Sequence, residues 1–264
     1  MKHKIYQIDA FTDRVFQGNP AAVCPLGSWL SDEILQNIAM ENNLSETAFY
    51  VKHGSKFQIR WFTPSCEVDL CGHATLATAY VLFSFENFNE KVLRLDSLRS
   101  GELTVTKSGE LLTMNFPSDV PDETEMTDEL RECFNIEARQ AFKGKTDYLL
   151  VYDNEDEINT IMPRLDIISG VDCRGIIVTA RGNSVDFVSR FFGPQSGVDE
   201  DPVTGSAHTT LTPYWAEQLG KKDLSAVQLS KRRGYLNCLL LNDRVEISGK
   251  CRLYMTGEIY INEI

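Results

Sequence analysis

The run His73-Ala-Thr-Leu-Ala-Thr-Ala-Tyr-Val-Leu-Phe83 is apolar nearly all round. A helix built from it has no face to offer water and must be buried on every side. It cannot rest on a flat sheet with its back to solvent, so a sheet has to curve around it. A second helical run, Ala207 to Leu219, carries Pro213 inside it, which predicts a kink or a late start. Similar residues precede both runs. Arg60-Trp-Phe-Thr-Pro64 leads through Glu67-Val-Asp-Leu-Cys-Gly-His-Ala74, and Arg190-Phe-Phe-Gly-Pro194 leads through Asp199-Glu-Asp-Pro-Val-Thr-Gly-Ser-Ala207. Aligning Gly72-x-Ala74 with Gly205-x-Ala207 needs one small insertion in the second copy. The repeat predicts two similar halves with a site where their acidic turns face each other.

Period-2 alternation predicts strands over 5–11, 46–51 and 57–62, and an apolar strand over 21–24 after a turn at Asn19-Pro20. Ser31 caps a helix whose apolar face is Ile34, Leu35, Ile38 and Ala39. Segments 93–95, 102–106 and 111–116 complete a strand-rich first half, with a hairpin turn at Ser108-Gly109. The acidic, proline-bearing stretch 117–127 is the candidate linker. Thr127 then caps a helix to about Phe134. Strands are expected over 148–152, 175–180 and 185–192, a short helix over 154–161, and a meander over 227–230, 236–241, 245–248 and 253–261.

The chain has 264 residues, enough for one large or two medium domains. A formal net charge of −12 argues against nucleic acid, which needs clustered Lys and Arg. An anionic ligand must therefore be held by local groups. Seven cysteines with no Cys-x-x-Cys pair fit neither a disulfide framework nor a zinc site, so small buried hydrophobes in a reducing cytoplasm are expected. The N-terminus runs straight into strand-like sequence, with no signal peptide expected, and the longest apolar run is too short for a bilayer.

Helix starts leave N–H groups that bind carboxylate or phosphate, so the Gly72 and Gly205 peptides are candidate anion contacts, against a plain turn-forming role. His73 can donate to a ligand or take a proton, or can cap its own helix. His208, one turn into its helix, fits a packing role. The histidines show no metal spacing. Of the acidic residues Glu67, Asp69, Asp199, Glu200 and Asp201, the last is the most pointed, because Pro202 fixes its turn. Glu46, in Asn43-Leu-Ser-Glu-Thr-Ala-Phe49, would suit general acid–base work if buried. Cys71 would be a base only if its helix start lowered its pKa; its counterpart is Thr204.

Ile8-Asp-Ala-Phe11, Gly18-Asn-Pro-Ala-Ala-Val23, Asn43 to Phe49, Val68-Asp-Leu-Cys-Gly-His-Ala-Thr-Leu-Ala77 and Gly197-Val-Asp-Glu-Asp-Pro-Val-Thr-Gly-Ser-Ala-His208 closely resemble the phenazine-biosynthesis isomerase-like (PhzF-like) family. The resemblance runs from about Ile5 to Tyr260. It implies an α+β protein of diaminopimelate epimerase-like fold, with two pseudo-symmetric domains, each a mainly antiparallel sheet around a central helix. The expected domains are 1–117 and 118–264, with a C-terminal strand near 255–264 packing back on the first and the active site in the cleft between them. It also implies a homodimer, a small anionic metabolite as partner, no cofactor and no metal.

The family's best-known reaction isomerises trans-2,3-dihydro-3-hydroxyanthranilate by moving a proton. By its motif the proton-carrying glutamate is Glu46. His73 and Asp201 match residues that assist it. Ser206, Gly72 and Gly205 match substrate contacts, and Asn19 a carboxylate contact. The related epimerases use two cysteines, whereas this chain pairs Cys71 with Thr204. Arg233 stands where family members often have glycine, adding bulk and charge. The resulting expectation is a cofactor-independent isomerase acting on a small carboxylate-bearing metabolite. The alternatives are an amino-acid racemase or epimerase and a non-catalytic binding member of the family.

Overall fold

The computed structural model describes residues 1–54 and 56–261. The chain divides into two compact units, Met1–Asn115 with the C-terminal stretch from Ser248, and Phe116–Ile247. That stretch begins well ahead of 255, and residues 262–264 of the expected strand lie outside the described residues.

In the first unit β1 (Lys2–Ala10), β2 (Asn19–Leu26), α1 (Asp32–Asn42), β3 (Glu46–His53), β4 (Lys56–Phe62), β5 (Glu67–Val68), α2 (Gly72–Phe85), β6 (Val92–Ser97), β7 (Gly101–Ser108) and β8 (Leu111–Pro117) follow in order. β1 pairs antiparallel with β2. β2 and β3 run parallel, and β4 is antiparallel to β3 and β5 but parallel to β6. Ser31 Oγ accepts from Ile34 N, and Asn43 closes α1 in the left-handed conformation. All of His73 to Ala79, with Val81 and Leu82, is buried in α2, as its all-round apolar pattern requires.

The second unit holds β9 (Asp122–Thr124), α3 (Asp128–Glu132), β10 (Gln140–Lys143), β11 (Asp147–Val151), α4 (Glu155–Thr160), α5 (Leu165–Ile168), β12 (Gly175–Arg181), β13 (Phe187–Gly193), β14 (Val198–Asp201), α6 (Ala207–Leu219), β15 (Asp223–Gln228), β16 (Gly234–Leu241) and β17 (Arg244–Gly249). β18 (Cys251–Tyr260) returns to pair antiparallel with β1 in the first unit. The second unit repeats the plan of the first. β11 and β12 run parallel, and β13 is antiparallel to β12 and β14 but parallel to β15.

The repeat extends to side chains. Arg60 forks onto Glu67 at 2.6 and 2.8 Å and lies 5.0 Å over Phe62. Arg190 forks onto Glu200 at 2.7 and 3.0 Å and lies 4.9 Å over Phe192. A planar guanidinium suits both contacts at once, which is why each copy has arginine two residues before phenylalanine.

Three expectations change. The linker read over 117–127 contains β9, which pairs with β10. The turn read at Asn19-Pro20 is already strand, because Gly18 with φ 67° makes the reversal. α6 runs through Pro213 from Ala207 onward: the carbonyl of Thr209, deprived of its helical partner, accepts the Asp119 N–H at 3.1 Å instead. Arg233 takes a left-handed φ of 55°, the conformation a glycine adopts freely.

Candidate active site

The parallel pairing of β2 with β3 sets Ala21 beside Glu46, so the first residues of the two strands, Asn19 and Glu46, lie at one end of the sheet. α2 begins nearby with Gly72 and His73. His73 Nε2 lies 3.1 Å from Glu46 Oε2, and its Nδ1 lies 3.1 Å from Asn19 Nδ2 and 3.5 Å from Cys71 Sγ. The His73 side chain is 5% exposed and that of Glu46 16%, so the glutamate alone of the two keeps an accessible edge.

An amide nitrogen can only donate, so Nδ1 of neutral His73 accepts from Asn19 and the ring proton sits on Nε2, facing Glu46. In the imidazolium Nε2 also carries a proton. Burial disfavours that cation, but Cys71 and Glu46 more than reverse the effect and raise its pKa well above the usual histidine value. The Cys71 thiol is itself pushed up to about 11, first by burial and then by Glu46. Near neutrality the thiol is therefore uncharged.

Glu46, Cys71 and His73 each bring a potential metal-ligating atom within 4.8 Å of the others. The imidazole, however, turns opposite nitrogens to Cys71 and Glu46.

In the second unit Asp201 ends β14. Thr204 Oγ1 donates to Asp201 Oδ2 at 2.5 Å. Buried Gln228 braces the same turn: its Nε2 donates to the Asp201 carbonyl at 2.7 Å and its Oε1 accepts from Thr204 N at 2.8 Å. Ser230 Oγ donates to the Pro202 carbonyl at 2.8 Å. Gly234 allows Val203 to pack close, since a Cβ there would meet Val203 Cγ2 at 2.1 Å. Gly205 and Ser206 follow directly and lead into α6. Ser206 does not cap its own helix; its Oγ accepts from Arg174 Nη1 at 2.8 Å. Buried Asp147 holds Arg174 through Nε at 2.8 Å and through a second, shorter bond to Nη2.

His208 is fully buried, and its Nδ1–H donates to the Thr204 carbonyl at 2.9 Å. Burial pushes its pKa down to about 4, so it is a neutral packing residue, as its helical position predicts. Among the acidic turn residues, Glu67 and Glu200 are tied to their arginines and Asp69 to Arg99 at 2.9 Å. Asn19, Glu46, Gly72 and His73 thus gather in the first unit, and Asp201, Gly205 and Ser206 in the second. Sequence reading missed Arg174, Asp147 and Gln228, whose placement depends on long-range strand pairing. A charged residue opening an apolar strand, as Asp147 does, was the one available signal.

This is the fold of an epimerase-like α+β protein. A hydroxyproline epimerase from Agrobacterium vitis shares it with a TM-score of 0.62 at 8% identity, over 98% of this chain and 92% of that one. The chain belongs to the phenazine biosynthesis-like PhzC–PhzF family, whose model matches residues 8–257. An uncharacterized isomerase of Pseudomonas aeruginosa is 53% identical over 99% of this chain and its own full length. A PhzF-family crystal structure from Enterococcus faecalis matches with a TM-score of 0.96 at 45% identity, over 99% of this chain and 100% of that one. This kinship supports a general isomerase role. Among the described residues no helix is long and apolar enough to cross a membrane.

Proposed function

We propose that this chain is a cofactor-independent isomerase that moves a proton on a small carboxylate-bearing metabolite, in the manner of trans-2,3-dihydro-3-hydroxyanthranilate isomerase. The observation that carries the reading is the half-buried Glu46 with its carboxylate 3.1 Å from His73 Nε2. Glu46 as carboxylate takes a proton from a carbon next to an electron-withdrawing group, and the electron pair shifts into the conjugated system. The resulting neutral Glu46 returns the proton to a different carbon, so atoms and charge balance with no redox partner. His73 follows the charge on Glu46 through its Nε2–H. Asp201, fixed by Thr204 and Gln228, assists proton transfer, and Ser206, the Gly72 and Gly205 peptides and Asn19 contact the substrate. A positioned acid–base group contributes about 10²–10⁴-fold in rate.

A racemase of the two-thiol type is disfavoured, because Thr204 stands at the second cysteine's place and spends its hydroxyl proton on Asp201. The test is a solvent-deuterium exchange screen over small cyclic and amino-acid carboxylates with Glu46→Gln as control. A folded Glu46→Gln chain that keeps full turnover on a substrate so found would sink the assignment. The five buried free cysteines fit a cytoplasmic protein and the family resemblance a homodimer, which light scattering would check.

A further inference from the structure

Arg174 is built in from several sides. Its backbone N–H donates to the Thr146 carbonyl at 2.8 Å, and Asp147 and Gly175 are register partners in the parallel pair of β11 and β12. Its guanidinium carbon lies 5.2 Å from the centroid of Phe191. That ring fits only because residue 175 is glycine: a Cβ there would meet Phe191 Cζ at 2.3 Å. Asp147, 2% exposed, takes both oxygens of its carboxylate to this one arginine. A carboxylate sunk this far gains little net stability from its ion pair, because desolvation offsets the attraction. What the fork does fix is the position of the guanidinium, and with it the third bond, from Nη1 to Ser206 Oγ at 2.8 Å.

That bond has a direction. An arginine N–H can only donate, so Ser206 Oγ is the acceptor and its own proton must point elsewhere. Among the described residues no acceptor for it is found. We propose that the Asp147–Arg174 pair is a positioning device that sets the Ser206 hydroxyl as a fixed donor to a carboxylate of the ligand. The inference rests on Ser206 being a substrate contact. It adds the class of group received there, a hydrogen-bond-accepting oxyanion, and the two residues that orient the donor.

The experiment is a binding cycle read by NMR titration with benzoate and acetate as probes, on the full chain, with Ser206→Ala, Arg174→Lys and the double variant. Lysine keeps a cation for Asp147 and so keeps the fold, but a single ammonium does not span Asp147 and Ser206 as the fork does. Each single variant is expected to weaken probe binding about tenfold, the value of a hydrogen bond to a charged group. The double variant should be no weaker than the worse single, because Arg174 acts through Ser206. Wild-type affinity in Arg174→Lys, effects that multiply to about a hundredfold in the double variant, or no binding of either probe by the wild type overturns the inference. Deuterium exchange dependent on Glu46, run in parallel, separates this failure from failure of the isomerase reading. A broken cycle beside intact exchange removes only the positioning role, and an intact cycle without exchange removes only the chemistry.

Discussion

His208 makes the stability of the chain depend on pH below the ordinary histidine value. Its ring is fully buried and donates from Nδ1 to the Thr204 carbonyl, and burial holds its pKa near 4 against 6.5 in the unfolded chain. Below 6.5 the unfolded chain takes up a proton that the folded chain refuses, so stability falls as pH falls. At about 1.4 kcal/mol per pH unit the loss attributable to this group is about 2 kcal/mol at pH 5 and about 3 kcal/mol at pH 4. His73 does not confuse the window. Its folded pKa is raised, so its contribution is fully present below 6.5 and is lost only as pH rises through the folded value. The assay is urea unfolding of the wild type and His208→Asn between pH 4 and pH 7. Asparagine keeps an N–H for Thr204 but does not titrate. The wild type should start more stable and lose about 3 kcal/mol of its advantage by pH 4. A difference between the two that stays constant across the range would refute the reasoning.

Leu76→Ala removes a fully buried side chain from the middle of α2 and should cost about 2–5 kcal/mol in urea unfolding at pH 7. A cost under 1 kcal/mol would mean that α2 is not the packed centre of its unit. Cys71→Ser should leave proton exchange within about tenfold of wild type, because the thiol, with its pKa pushed up to about 11, is no base near neutrality. Loss of exchange in that variant would favour the racemase reading.

The fold was legible where a pattern has one physical solution. A run apolar on all sides, as in α2, can only be a core helix, and the duplicated Arg-aromatic-Phe-x-Pro segment marked the repeated plan. What the pattern could not show was why those arginines recur: each holds an acid a few residues on, Glu67 or Glu200, and stacks on its own phenylalanine. Pro213 does not delay the start of α6, and the carbonyl it frees is taken up by a distant donor, Asp119 N, that local sequence does not show. For the candidate site, local sequence offered His73 and Asp201 but would have passed over Glu46, an ordinary strand glutamate until β2, β3 and α2 bring Asn19 and His73 to it. Arg174 was invisible for the same reason, and Asp147 showed only as a charge opening an apolar strand. They lie 27 residues apart and meet Ser206 only through the pairing of β11 with β12.

The central claim is that Glu46 carries the proton. Its most direct measurement is transfer of deuterium from solvent into a carboxylate substrate, followed by NMR, for the wild type and Glu46→Gln. The account predicts exchange in the wild type and a loss of about 10²-fold or more in a variant that stays folded. Exchange at the wild-type rate without the Glu46 carboxylate would contradict it.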